Sequence, residues 1–444
     1  MNVSRYNIYI DASDNQSFIY NTLTTSLVLV DNKVRHYLEE NNVKFIDPSQ
    51  LASLEKCGII TNSNERAIYQ ISHNTAKYNT VVSSFLVFTT YACNLVCPYC
   101  YEGPSTAEYR SSSMSLETTD KVVDFICSQV LKDRSRAVGI VLYGGEPLLN
   151  MDCCSTLLQD VSRWCETNTI PFSATLMSNG TLLTRDMYYR IKKYLTYIHI
   201  TLDGPQRFHD RTRMKRNGSG SYSDILQNLE QLKNTEEYLQ IRINIDEENM
   251  QAVGEVLTDL ERIGLKGRPH FYIYFSQIIP QRFCFTVSNP EFDEQSKKLS
   301  QYLPVITGMA QEKGWGPHLS ADPGEKLASS EAVSCGYVKY GIYTIDPEGD
   351  VFVCPALTCN PLYKIGTIQN HSITWEPVYY DILTRDPTLR TPCNTCEFLP
   401  LCKGGCPVSS LPGDKALCST RKRLYERLKT YLRVRYPEEC GEVI

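Results

Sequence analysis

The chain has 444 residues, 42% of them hydrophobic and 21% charged, with 45 Lys and Arg against 50 Asp and Glu. The length exceeds one ordinary domain, and the composition is that of a globular protein with a large core, which excludes disordered and fibrous classes. A net charge of −5 leaves no electrostatic footprint for nucleic acid, and no run of 18 apolar residues is present to cross a membrane. The opening Met1-Asn-Val-Ser-Arg-Tyr6 runs into polar sequence without the apolar core of a signal peptide, so a cytoplasmic location is expected. In that compartment the 18 cysteines are expected to be metal ligands rather than disulfides.

In chain order, Tyr6–Ile10, Ser17–Tyr20 and Ser26–Val30 read as short strands. Lys33–Glu40 and Pro48–Lys56 read as helices, and Ala67–Ile71 as a further strand. A small winged-helix-like α+β domain is predicted for residues 1–80. An exposed sheet edge in such a unit can take up an extended peptide as an added strand; the alternative is a structural cap on the neighbouring domain.

The segment Tyr91-Ala-Cys-Asn-Leu-Val-Cys-Pro-Tyr-Cys-Tyr101 comes just after the apolar run Phe85–Phe88. Its Cys93, Cys97 and Cys100 can hold three corners of a four-iron cluster and leave one iron open to a small molecule. Zinc sites more usually show two pairs of ligands. Strands are predicted at 85–90, 138–143, 172–177, 197–202, 239–245 and 270–277, with helices near 117–131, 154–167, 184–195, 222–236 and 249–263. This alternation predicts an α/β fold of parallel strands with helices outside. Gly144-Gly145-Glu146-Pro147 follows the second strand, where two glycines permit close ligand approach and the carbonyls and carboxylate can accept from an ammonium group. Ser178-Asn179-Gly180 ends the third strand, and Thr201-Leu-Asp-Gly204 ends the fourth, followed by His209-Asp-Arg-Thr-Arg213. Arg242 and Asn244 alternate with apolar residues on the fifth strand, so both point inward, as ligand contacts or as satisfied core polar groups.

The C-terminal third carries Cys335, Cys354, then Cys393-x2-Cys396-x5-Cys402-x3-Cys406, then Cys418. These gaps do not divide into the C-x2-C pairs of zinc ribbons. Tyr343–Val353 reads as a β-hairpin with a Pro-Glu-Gly-Asp turn that carries Cys354 outward. Cys57, Cys127, Cys153, Cys154, Cys165, Cys284 and Cys440 read as packing residues. The basic run from Arg421 to Arg435 reads as the solvated face of a terminal helix, ahead of a patch for an anionic partner. The predicted organisation is 1–80, a core at 81–300, a bridging region at 301–330, a second cysteine domain at 331–420 and a C-terminal helix at 421–444.

The C-x3-C-x2-C loop, the Gly-Gly-Glu-Pro turn and the Thr201–Arg213 stretch together resemble the radical S-adenosylmethionine (radical SAM) enzymes. That resemblance implies a partial (β/α)6 TIM-like barrel with its active site at the C-terminal ends of the strands. It implies a 4Fe-4S cluster on Cys93, Cys97 and Cys100 with SAM at the open iron. It further implies SAM contacts from Tyr99, Gly144, Gly145, Glu146, Pro147, Ser178, Asn179, Thr201 (ribose) and Arg213 (carboxylate). The seven-cysteine order resembles the SPASM domain, which implies two auxiliary 4Fe-4S clusters, three in all. Cys393, Cys396, Cys402 and Cys418 would close one. Cys335, Cys354 and Cys406 would hold the other, left open or completed by Cys359 or a more distant cysteine. The N-terminal unit resembles the peptide-recognition element of enzymes that modify ribosomally made peptides. The resemblance therefore implies a maturase in which a 5′-deoxyadenosyl radical takes a hydrogen from a precursor peptide bearing a leader, installing a thioether or carbon–carbon cross-link. An electron donor such as flavodoxin or ferredoxin is implied as a partner. The alternative is an anaerobic sulfatase-maturing enzyme that forms formylglycine. Members of that kind carry Asp after the second SPASM cysteine, where this chain has Pro355. No residue is assigned as a catalytic acid or base.

Overall fold

The computed structural model describes residues 1–100, 102, 112–278, 302–320, 332–358, 360–369, 372–406, 418 and 420–436. The chain forms two compact units: Met1–Tyr78 with Pro323–Lys339 and Thr384–Ile444, and Asn79–Asp322 with Tyr340–Leu383. The interval 331–420 is divided between them. Among the described residues no helix is long and apolar enough to cross a membrane.

In the first unit β1 (Asn2–Val3) pairs with β5 (Ile60–Thr61), while β2 (Asn7–Asp11), β3 (Gln16–Asn21) and β4 (Leu27–Asp31) form an antiparallel sheet with β3 in the centre. Alternation along the strands gives the sheet two apolar faces. Ile19 packs with Val34 and Leu38 of α1 (Asn32–Glu39) and with Leu54 of α2 (Pro48–Lys56). Ile8, Ile10, Phe18 and Tyr20 pack with Leu428 and Leu432 of the C-terminal helix Thr420–Arg435. Helix α2 starts where a proline and a cap coincide: Asp47 accepts from the Ser49 amide and Pro48 occupies the first turn. Ala67–Ile71 is not a strand but part of α3, Glu65–Tyr78. Its buried residues, Tyr69, His73 and Lys77, repeat every four positions, a helical period that a five-residue apolar window conceals.

The second unit is built on six parallel strands: β6 (Val82–Thr90), β7 (Ala137–Gly144), β8 (Phe172–Ser178), β9 (Leu195–Leu202), β10 (Tyr238–Ile245) and β11 (Phe271–Gln277). The crossovers contain α4 (Leu116–Asp133), α5 (Met151–Thr167), α6 (Arg185–Ile191), α7 (Gln206–Thr212), α8 (Tyr222–Glu230) and α9 (Val253–Arg262). This is the α/β order of parallel strands and outer helices that the alternation predicts, in the partial-barrel form that the family resemblance implies. Ile198, Ile200, Ile241 and Ile243 are fully buried and alternate with half-buried His199, Thr201 and Arg242 on the other face. On that second face the His199 Nε2 and Tyr274 hydroxyl are 3.0 Å apart.

The sheet does not end at β6. Strand β12 (Ile342–Ile345) adds to its free edge in parallel, and β13 (Asp350–Phe352), β14 (Lys364–Gln369) and β15 (Ser372–Trp375) follow antiparallel. The expected hairpin is thus present, and it also caps an edge that would otherwise be open to pairing. Its turn is closed by the Asp346 carboxylate, which accepts the amides of Glu348 and Asp350, and by Gly349 at φ +85°.

Candidate cofactor site and cysteine clusters

The loop after β6 carries Cys93, Cys97 and Cys100, all half-buried. Long-range bonds hold it in place. Arg216 Nε donates to the Cys93 carbonyl at 2.7 Å, the Val96 amide to the Met214 carbonyl at 2.8 Å, and Asn94 Nδ2 to Thr181 Oγ1 at 2.8 Å. The Leu95 amide donates to Cys93 Sγ at 3.4 Å, and Asn179 Nδ2 approaches the same sulfur at 3.9 Å. Burial pushes the Cys93 and Cys97 thiols up to about 11 and the Cys100 thiol up to about 12. A metal centre here must therefore displace protons as it binds. Three thiols on one loop, with N–H donors already turned toward sulfur, fit a cluster better than a single ion. A cubane spreads its thiolates over separate irons, so three thiols on one loop can each take one.

Gly144 and Gly145 lie against the entry of that loop. The Gly145 amide donates to the Thr90 carbonyl at 3.1 Å and the Glu146 amide to the Ala92 carbonyl at 2.8 Å. A Cβ at Gly145 would run into the carbonyls of Tyr91 and Ala92, and Gly144 sits at φ +127° against the Thr90 carbonyl. Both positions need glycine. Glu146 is fully buried, and its carboxylate is engaged inside the protein. It accepts from Ser178 Oγ at 2.9 Å, the Asn179 amide at 2.8 Å and the Leu148 amide at 3.2 Å. Burial raises its pKa to about 7. Glu146 thus ties the turn to the end of β8, and Pro147 opens the short helical turn Pro147–Asn150 behind it. Asn179 joins the same framework, donating to Asn94 Oδ1 at 2.8 Å.

Beyond β9, residues distant in sequence form one network. Tyr99 donates its hydroxyl hydrogen to Asp203 Oδ2 at 2.5 Å, and Arg213 Nη1 donates to the Tyr99 oxygen at 2.9 Å. Asn244 Nδ2 donates to Asp203 Oδ1 at 2.9 Å, and Arg242 Nε to Asn244 Oδ1 at 2.7 Å. Burial opposes the Arg213 charge, but Tyr99, Cys97 and Asp203 outweigh it and hold the guanidinium protonated. Its Nε is buried without a hydrogen-bond partner among the described residues. A buried cation with one donor unmatched is suited to an anionic ligand group. His209 and Asp210 of the same stretch serve the scaffold. His209 Nδ1 accepts the Asp203 amide and its Nε2 meets Ser221 Oγ, while Asp210 accepts the amides of Ser221 and Tyr222 at the start of α8. Thr201 is half-buried, opposite Arg242 in the β9–β10 register.

The structure therefore brings Tyr99, Gly144, Gly145, Glu146, Ser178, Asn179 and Arg213 to the C-terminal ends of neighbouring strands, around the three cysteines. Sequence reasoning gives no site role to Asp203, Asn94, Thr181 or Arg216. The signal for Asp203 is present in Thr201-Leu-Asp-Gly204, while the others have none. A further pair, Tyr91 donating to Asp346 Oδ2 at 3.3 Å, links the cysteine loop to the β12–β13 turn. Burial raises the Asp346 pKa to about 7.

In the first unit Cys393, Cys396 and Cys402 are half-buried and Cys418 is exposed. Each of the three half-buried thiols lies within electrostatic range of Cys418, and Cys402 also of Cys393 and Cys396. Burial pushes the Cys402 thiol up to about 11. The chain wraps closely here: Lys403, Gly404 and Gly405 are three consecutive residues at positive φ. Arg385 Nη2 donates to the Gly404 carbonyl at 2.9 Å, which sets a cation beside the thiols. Cys335 lies in electrostatic range of Cys406. In the second unit, Cys354 is half-buried and immediately precedes the turn Pro355–Leu357. Cys359, Cys284 and Cys440 lie outside the described residues. Cys153 and Cys154 are buried and donate to the carbonyls of Met114 and Pro147, as packing thiols do.

Residues 87–260 match the family model of the Radical SAM superfamily. The radical SAM cyclopropyl synthase TigE of Paramaledivibacter caminithermalis is 22% identical over 480 residues, spanning 96% of this chain and 95% of that protein. The serine-type anaerobic sulfatase-maturating enzyme of Bacteroides thetaiotaomicron is 23% identical over 381 residues, spanning 77% of this chain and 87% of that protein. Among solved structures, native anSMEcpe with bound AdoMet aligns with a TM-score of 0.62 at 17% identity, over 82% of this chain and 100% of the other. Streptococcus suis SuiB bound to S-adenosylmethionine aligns with a TM-score of 0.50 at 14% identity, over 91% of this chain and 95% of the other. At these identities the two structures speak to the fold.

Proposed function

Residues 87–260 are a radical SAM domain, and from that premise we propose that this protein is a peptide maturase that installs a carbon–carbon or thioether bond in a ribosomally made precursor. The observation that carries the reading is the sheet-and-helix unit of residues 1–78, whose edge strand β4 pairs only with β3 among the described residues. A free edge of this kind suits a leader segment added as a strand. Similarity along 96% of the chain to a cyclopropyl synthase supports the same reading.

When bound, the cluster and SAM supply the one-electron chemistry that removes a hydrogen atom from an unactivated carbon. The work of this chain is to hold and orient them. Cys93, Cys97 and Cys100 anchor the cluster. The carbonyls of the Gly144–Gly145 turn would receive the SAM ammonium, and Arg213 would receive its carboxylate, with its Nε free among the described residues. Asp203 holds Tyr99 and Asn244 in register for that contact. Thr201 would face the ribose. Cys393, Cys396, Cys402 and Cys418 hold an auxiliary centre, which suits an oxidative bond formation that must dispose of an electron.

The second reading is maturation of a sulfatase, favoured by the 23% identity over 77% of the chain to an enzyme of that name. Pro355, in place of a carboxylate after Cys354, weighs against it. The test is anaerobic incubation of reconstituted enzyme with SAM, dithionite and a precursor peptide encoded nearby. The expected result is 5′-deoxyadenosine together with a peptide lighter by two hydrogens, and removal of the leader abolishes the product. Conversion of a leaderless sulfatase peptide to formylglycine would overturn the first reading.

A further inference from the structure

The C-terminal helix Thr420–Arg435 carries seven Lys and Arg side chains and one carboxylate, Glu426, in a chain of net charge −5. Its apolar side is already used, since Leu428 and Leu432 pack on the β2–β4 sheet. Lys422, Lys429 and Arg433 fall at i, i+7 and i+11, a single stripe roughly a quarter-turn round the helix from Leu428 and Leu432, and Arg423 and Arg427 lie on the side away from the sheet. Lys422, Arg423, Arg427 and Arg433 are exposed. Among the described residues, Lys422, Arg423, Lys429 and Arg433 have no ion-pair partner, whereas Arg421 pairs with Glu397.

Two observations set this face apart from an ordinary solvated helix. The cations Arg421, Lys422 and Arg423 crowd the first turn, where the helix dipole is already positive and carboxylates would be favoured, and no acidic residue is present there. A helix kept only for its apolar stripe gains nothing from that arrangement. The same end also adjoins the thiol cluster. Arg421 is in electrostatic range of Cys396 and Cys418, and Cys418 is exposed two residues before the helix starts. The N-terminal end of the positive surface therefore adjoins the four cysteines, through Arg421 and its partner Glu397.

We propose that this helix is the docking surface for an acidic one-electron carrier protein of the flavodoxin or ferredoxin class, which exchanges electrons with the centre held by Cys393, Cys396, Cys402 and Cys418. The proposal rests on the reading above that these four cysteines bind a cluster. With flavodoxin, one electron leaves the anionic hydroquinone, which becomes the neutral semiquinone, and enters the oxidised centre; no other bond is made or broken. The helix is about 24 Å long, close to the span of a small carrier's contact face. A complementary charge pattern speeds encounter without requiring a large buried area. A leader peptide is a poorer occupant, because a helix face offers no strand edge. A membrane surface is poorer too, because a membrane-bound basic helix buries its apolar side in lipid and this one is committed to the sheet.

The test compares the holoenzyme with the K422Q/R423Q/K429Q/R433Q variant, and with a charge-reversed K422E/R433E variant in case the first loses too little charge. Binding of flavodoxin is measured by titration at low and at moderate salt. The rate of centre reduction by flavodoxin hydroquinone is measured by stopped flow. The proposal expects flavodoxin affinity to fall at least about tenfold and its salt dependence to flatten, while dithionite-driven SAM cleavage and leader-peptide affinity stay at wild-type values. Unchanged flavodoxin affinity and salt slope would overturn it, as would loss of leader-peptide affinity, or binding to anionic vesicles or RNA that the variants abolish in place of carrier binding. Peptide modification with dithionite tests the maturase reading on its own, and iron content tests the four-cysteine centre on its own, so the three failures are separable.

Discussion

Replacing Gly145 with alanine tests the geometry that joins the Gly-Gly-Glu-Pro turn to the cysteine loop. The new Cβ would meet the backbone carbonyls of Tyr91 and Ala92, which cannot rotate away as a side chain can. Either the turn or the loop must move, and overpacking of this kind costs about 1–3 kcal/mol. Movement also strains two backbone hydrogen bonds, Gly145 amide to Thr90 carbonyl and Glu146 amide to Ala92 carbonyl, each worth about 1 kcal/mol. The expected total is about 3–5 kcal/mol, lost one residue away from Cys93. Urea unfolding of the reconstituted protein should show the loss in stability. Iron per chain should fall by about four, and SAM affinity should weaken with it. Gly267→Ala is the control, because no atom lies within 4 Å of its added Cβ and its φ is not positive. A Gly145→Ala protein with wild-type stability, iron content and SAM affinity would refute the argument.

Three further outcomes are expected from the same geometry. Asp346 has a pKa raised by burial to about 7, so the native state holds its proton more tightly than the unfolded chain. Its contribution is fully present below pH ~4 and is lost as pH rises toward 7, by up to about 4 kcal/mol. Asp346→Asn keeps an oxygen for the hairpin amides, so urea midpoints of this variant should lack the decline that the wild type shows between about pH 4.5 and about pH 7.5. Tyr99→Phe removes the hydroxyl between Arg213 and Asp203, leaving buried groups unpaired at a cost of about 1–3 kcal/mol; calorimetric SAM affinity should drop with the cluster absorbance retained, and unchanged affinity would exclude the network from the site. Cys418→Ser should lower iron by about four per chain while dithionite-driven SAM cleavage persists; loss of cleavage instead would mean that the two cysteine groups are not separate.

Legibility in the sequence tracks the range of the interactions. The spacing of Cys93, Cys97 and Cys100 lies within one loop, and the β–α alternation is a local period, so both can be read without coordinates. Glu146 can be noticed as part of a turn, but its full burial and its commitment to Ser178, Asn179 and Leu148 cannot be inferred. A sequence window reports which donors are available and leaves open which of them an acceptor meets. Ala67–Ile71 misleads for a related reason, since five apolar-rich residues are compatible with either period and only the burial of Tyr69, His73 and Lys77 over a longer stretch decides between them.

The amino-acid sequence by itself determined the parallel strand–helix order and the cysteine spacings, because both are set by residues a few positions apart. Tertiary structure alone decided that Tyr99, Asp203, Arg213 and Asn244 meet, since parallel register carries side chains from separate crossovers to one end of the sheet. It also decided that β12 extends that sheet beside β6 and brings Asp346 to Tyr91. Strand pairing between segments more than 200 positions apart depends on which edge remains open once the rest of the sheet has formed, and no local pattern encodes that.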